Sequence, residues 1–128
     1  MKFTSYYAIP GLPNYEKKRL EPADMIKLTA KFFNLSVSQI LSKHRYRELV
    51  IARHLFYYYG RAVGYGWRTL AIATGGRDHT TAIHGYKTIA DLIEVDKETK
   101  KLYDQFHAYM DQQKYSVLQA ADLKEQRA

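Results

Sequence analysis

Gly75-Gly76-Arg77-Asp78-His79-Thr80-Thr81-Ala82-Ile83-His84 is the stretch on which the reading of this chain turns. Two adjacent glycines supply a backbone corner that residues with side chains resist. Asp78 follows as a natural helix N-cap, its carboxylate expected to accept the amides near Thr80 and Thr81. From there the spacing predicts an amphipathic helix. With about 100° between residues, Ile83, Tyr86, Ile89, Ala90 and Ile93 fall on one side and Thr80, Thr81, His84, Lys87, Thr88 and Asp91 on the other. His79 falls nearer the apolar side but stands at the helix tip. Hydroxyls, an imidazole and an ammonium at a positively polarised helix end are the equipment of the second helix of a helix-turn-helix. The same residues also suit an ordinary capped surface helix.

Working outward, Trp67 to about Ala73 reads as the first helix of that pair, reached through Gly60, Gly64 and Gly66. A longer helix is expected from Arg47 to about Ala62, with Leu49, Ala52, Phe56, Tyr59 and Val63 inward. Arg47, His54 and Arg61 then share the opposite face, with Arg53 between the two. Tyr57-Tyr58-Tyr59 suits base stacking, or a core Tyr59 with its neighbours as partly buried cover. Ser42-Lys43-His44-Arg45-Tyr46-Arg47 gathers cations at a helix junction, either to meet a duplex backbone or as a solvated loop. Ser36-Val37-Ser38-Gln39 has the form of a capping box opening a short helix to about Leu41. Before it, Pro22 suits a first helical turn, Met25, Ile26, Leu28, Thr29, Phe32 and Phe33 make an apolar stripe, and Asn34-Leu35 breaks it. Residues 1–21 form an irregular arm, docked through Tyr6, Tyr7, Ile9, Leu12 and Tyr15 or left as a loose tail. Downstream, Asp96-Lys97 marks a junction before a last amphipathic helix carrying Leu102, Phe106, Tyr109 and Met110. Its continuation through Val117, Leu118 and Ala121, in residues 111–128, either meets a protein partner or folds back.

The segment from Gly75 to Thr81, with His84 three residues on, closely resembles the signature of the C-terminal DNA-binding domain of the bacterial replication initiator DnaA. A second block supports it: Phe33-Asn34-Leu35-Ser36-Val37-Ser38-Gln39-Ile40-Leu41-Ser42-Lys43, then His44-Arg45-Tyr46-Arg47-Glu48 and Ala52-Arg53. The resemblance runs from about Pro22 to Met110. It implies an all-α domain with a Trp-repressor-like helix-turn-helix. It also implies an asymmetric duplex target similar to TTATNCACA, read in the major groove by Asp78, His79, Thr80 and Thr81, with Arg45 in the adjacent minor groove. Arg53, His54 and Arg61 stand where the family makes further contacts, mostly to the backbone. Lys43, His44, Arg47, Arg77, His84 and Lys87 complete the expected DNA-binding set. The chain departs from the family at His44, usually arginine, and at His54, often glutamine. Before the glycine pair the family reads S-L-P-E-I-G-x-A-F, whereas Thr69 and Thr74 here replace an acidic and an aromatic residue.

Composition agrees with this class. In 128 residues, 20 Lys+Arg against 13 Asp+Glu give a charge of +7, which favours polyanionic partners. There are no cysteines, hence no disulfide framework, thiol nucleophile or Cys-based zinc site. His79 and His84 diverge by about 140° on a helix and cannot share a metal. Asp78 beside His79 lacks a nucleophile, and no G-x-x-x-x-G-K-[ST] loop occurs, so neither an enzyme nor a cofactor is expected. No apolar run approaches a membrane span and no signal-peptide core is seen, which suggests a cytoplasmic, nucleoid-associated protein. The rival class is a protein-interaction module that keeps the fold without the DNA site; a transcriptional regulator is the other alternative.

Overall fold

The computed structural model describes residues 19–127, with side chains through Lys124. Expectations for residues 1–18, including docking of the arm's tyrosines, lie outside the described residues. Six helices follow one another: α1 (Pro22–Phe33), α2 (Val37–Leu41), α3 (Arg47–Ala62), α4 (Trp67–Ala73), α5 (His79–Val95) and α6 (Lys97–Arg127).

Local chemistry sets most of the boundaries. Pro22 opens α1, where a missing N–H costs nothing, and Asn34 closes it in the left-handed region at φ 57°. Ser36 and Gln39 form the reciprocal capping box, with bonds of 3.1 and 2.8 Å. Asp96 separates α5 from α6 and accepts the Thr99 amide and hydroxyl at 3.1 and 2.6 Å. α6 runs unbroken through Met110 to Arg127.

α3 is the axle of the domain and touches each of the other five helices. Its inward face is therefore wider than a single stripe. Leu55 and Tyr57 are buried alongside Leu49, Ala52, Phe56 and Tyr59. Tyr57 corrects the expectation of partial cover: it is 1 % exposed and its hydroxyl meets Thr74 Oγ1 at 2.8 Å. Tyr58 is held between Tyr86, stacked at 5.2 Å, and Tyr103, edge-on at 4.8 Å. The three tyrosines are thus engaged inside the protein, and the base-stacking alternative lapses. At the far end, Phe106 and Met110 of α6 bury completely, Phe106 edge-on to Phe32 and Tyr59.

α5 packs through a face rotated from the one expected. Ala82, Gly85 and Ile89 are buried, while Ile83, Tyr86, Ala90 and Ile93 are only half-buried. The cause is Gly85, which lets α5 lie so close to α3 that a Cβ there would come within 2.7 Å of His54 and 2.8 Å of Tyr57. Arg19 and Leu20 join the body from the N-terminal side. The Arg19 guanidinium lies 3.9 Å over Tyr65, whose hydroxyl donates to the Leu20 carbonyl.

Candidate nucleic-acid interface

Between α4 and α5 the chain turns through Gly75 and Gly76, both at positive φ, 106° and 76°. The Gly76 and Arg77 amides bond back to Ile72 and Ala71 carbonyls at 3.0 Å, closing α4 and aiming the next helix outward. Gly75 also lies against the end of α2, where a Cβ would sit 2.5 Å from the Leu41 carbonyl. The turn of the helix-turn-helix is therefore pressed onto the start of the basic loop, residues 42–46.

This contact creates a cleft of about 720 Å³ with the basic loop on one wall and the first turns of α5 on the other. Lys43, Arg45, Arg53, His54, Arg77, Thr80, Thr81 and His84 line it together. Eight of the fourteen expected positions thus meet in one concavity. Asp78 and His79 stand exposed at the tip of α5, and Lys87 is exposed one turn beyond His84. Arg47 is exposed at the start of α3, and His44 stacks on exposed Tyr46 with 5.5 Å between rings. Tyr46 is not among the expected positions, although the structure sets its ring beside His44 in the basic loop. Its only sequence signal is an aromatic set among cations.

Three expected contributors behave differently in the structure. Arg53, expected to meet a ligand, is 5 % exposed. Its guanidinium donates to the carbonyls of Ile40 (2.8 Å), His44 (2.7 Å), Gln39 (3.2 Å) and Ser42 (2.7 Å). Burial lowers its pKa, and the neighbouring Arg77 charge lowers it further. Arg77 is half-buried and donates to the Thr74 and Ser42 carbonyls. Arg61 lies at the opposite end of α3 from Arg47, about 21 Å away by helical rise, and outside the cleft. There it donates to Tyr65 and covers the Trp67 ring at 4.3 Å.

Asp78 occupies the N-cap position of α5, but its side chain makes no capping bond. One oxygen accepts the Thr80 hydroxyl at 2.9 Å and the other lies 3.0 Å from His79 Nδ1. These partners, Thr80 first, hold the carboxyl below its ordinary pKa. The Thr81 amide is served by the Asp78 carbonyl at 3.0 Å. His54, half-buried between α3 and α5, has its pKa pushed down by burial and then by the nearby His84 and Arg53.

Among the described residues no group of three or more His, Asp or Glu side chains is placed to hold a metal ion. No described helix is long and apolar enough to cross a membrane.

The family model described as the bacterial DnaA protein helix-turn-helix matches residues 22–89, from the first residue of α1 to the middle of α5. The chain belongs to this DnaA family. It is 37 % identical over 79 residues to the chromosomal replication initiator protein DnaA of Oenococcus oeni, covering 61 % of this chain and 18 % of that protein. The DnaA of Bacteroides thetaiotaomicron is 32 % identical over 92 residues, covering 71 % and 20 %. That of Bifidobacterium animalis is 34 % identical over 80 residues, covering 62 % and 14 %. The chain thus spans about a fifth or less of the length of these relatives, and the family match falls on the all-α helix-turn-helix just described.

Proposed function

We propose that this domain binds double-stranded DNA sequence-specifically, at a site similar to TTATNCACA, and acts in replication initiation or its regulation. The observation that carries the reading is the cleft between the basic loop and α5. A protein that reads the major groove with a helix and the adjacent minor groove with an arginine must straddle the sugar–phosphate strand between the grooves. The straddled strand needs a concave seat bearing cations and hydrogen-bond donors, which Lys43, Thr80, Thr81 and the two flanking walls supply. Arg45 on one wall is the minor-groove element, suited to a narrow A·T-rich groove. On the other wall the first turn of α5, with Asp78, His79, Thr80 and Thr81, meets base edges.

Thr81 is the most direct test, because it is exposed and carries no core duty. A threonine offers a hydroxyl to a base edge and a methyl to a thymine methyl, and one such contact discriminates by about 1–3 kcal/mol. Thr81→Ala should keep its melting temperature and lose roughly 5- to 150-fold in the ratio of box to scrambled-duplex affinity. An unchanged ratio would remove α5 as the reading element and favour the interaction-module alternative.

A further inference from the structure

We infer that Arg77 is a positioning residue that locks the minor-groove wall of the cleft to the major-groove wall and so sets the spacing between the two readers. The inference rests on the DNA-binding reading above.

Three observations converge on it. First, Arg77 belongs to the turn that launches α5, yet it reaches 35 residues back in sequence to the Ser42 carbonyl, at the root of the basic loop. A second guanidinium nitrogen holds the Thr74 carbonyl at the end of α4. One planar, forked side chain thus ties the turn that precedes α5 to the root of the basic loop, through two nitrogens where lysine has a single ammonium. Second, the Ser42 carbonyl also accepts from buried Arg53, which grips His44 beyond it and Gln39 and Ile40 before it. The loop is therefore fastened to α3 and to the helix-turn-helix through the same atom. Third, Gly75 sits where a Cβ would strike the Leu41 carbonyl, so the turn and the loop root touch backbone to backbone beside the Arg77 bond. Arg45 lies only three residues beyond Ser42, so fixing the loop root relative to α5 fixes where Arg45 enters the duplex.

The test uses the full chain with Arg77→Lys and Arg77→Ala. Fluorescence anisotropy would follow binding to three duplexes: the TTATNCACA box, the box with its TTAT half scrambled, and the box with its CACA half scrambled. The A·T-rich half has the narrow minor groove that Arg45 favours. The wild type should lose about 5- to 150-fold per base pair changed in either half. Both Arg77 variants should keep the penalty in the CACA half, lose most of it in the TTAT half, and keep the salt slope. Hydrogen exchange of the loop-root amides of Ser42 and His44, bonded to the Gln39 carbonyl and the Ser42 hydroxyl and measured without DNA, should accelerate in both variants while core amides of α1 and α6 stay protected.

Full discrimination in Arg77→Lys with unaltered loop exchange would overturn the inference, since charge alone would then suffice. Equal weakening on all three duplexes with a salt slope shallower by about 0.9 would also overturn it, by making Arg77 a phosphate contact. A wild type that does not distinguish the box from the scrambled duplexes would instead refute the DNA-target reading. The exchange measurement would still decide whether Arg77 holds the loop.

Discussion

The buried hydroxyl pair Tyr57–Thr74 offers a sharp test of how the helix-turn-helix is fixed to α3. Thr74 closes α4, is 0 % exposed, and lies 2.8 Å from the Tyr57 hydroxyl. A threonine hydroxyl has one hydrogen, and the carbonyls of Ala71 at 3.0 Å and Leu70 at 3.3 Å are its acceptors. Tyr57 must therefore be the donor to Thr74. Tyr57→Phe removes that donor while Thr74 keeps its carbonyl bonds, so the loss is one neutral hydrogen bond, about 0.5–1.5 kcal/mol. Thr74→Val is worse: it strands the Tyr57 hydroxyl in an interior where no described buried side-chain polar atom lacks a partner, costing about 1–3 kcal/mol. The double variant Tyr57→Phe/Thr74→Val removes both polar groups and should be more stable than Thr74→Val alone, with a coupling of about 1 kcal/mol. Urea unfolding of the four proteins, with unchanged m-values, measures this cycle. Additive losses, or Tyr57→Phe as costly as Thr74→Val, would refute the assignment of donor and acceptor.

Gly85→Ala should destabilise the domain by roughly 1–3 kcal/mol, because its Cβ would enter the rings of His54 and Tyr57; thermal unfolding checks this. Arg61→Ala should lose about 0.5–1 kcal/mol of stability from its place over Trp67 and leave discrimination between box and scrambled duplexes intact, as melting and anisotropy would show. Because folding lowers the His54 pKa from 6.5, the unfolded chain binds more protons just below that pH, and stability should fall as pH drops through this window. His54→Gln should flatten that dependence in pH-resolved melting curves. With Arg45 assigned to the minor groove and Arg61 engaged over Trp67, the exposed Lys43, Arg47 and Lys87 are left for phosphates, and three contacts would give a log–log salt slope of about −2.7.

The elements legible in the sequence were those whose cause is local. Pro22, the Ser36–Gln39 box, Asn34, the glycine pair and Asp96 each act on backbone within a few residues, and the helices start and stop where these residues require. The assembly of Lys43 and Arg45 with Thr80, Thr81 and His84 was legible through the family signature. Destinations of long side chains were not. An arginine reads the same whether its guanidinium will meet a phosphate or a carbonyl, and only tertiary structure brings the Ser42 carbonyl between Arg53 and Arg77. On α5 the expected Ile89 is buried and Tyr86 and Ile93 pack against the core, but apolarity weights Ile83 above Gly85, whereas the close crossing with α3 centres the face on the residue with no side chain. Thr74 replaces an aromatic residue of the family pattern, and its compensation is a hydroxyl on a helix 17 residues upstream, which no local reading pairs with it.

On the proposed reading, withholding Arg53 and Arg77 from the DNA is favourable if position matters more than charge, and the magnitudes decide that it does. At about 0.15 M salt, one phosphate contact with a slope of 0.9 contributes roughly 1 kcal/mol, so Arg53 and Arg77 together forgo about 2 kcal/mol. The loop they hold, residues 42–46 between α2 and α3, would otherwise be ordered at the moment of binding. Fixing five backbone residues costs about 5–10 kcal/mol. Even half of that cost, met on folding instead of on binding, exceeds the two lost phosphate contacts. A basic loop fixed in this way adds affinity through what it does not have to pay, and it gives Arg45 a defined distance from α5 against which the two halves of a site can be compared.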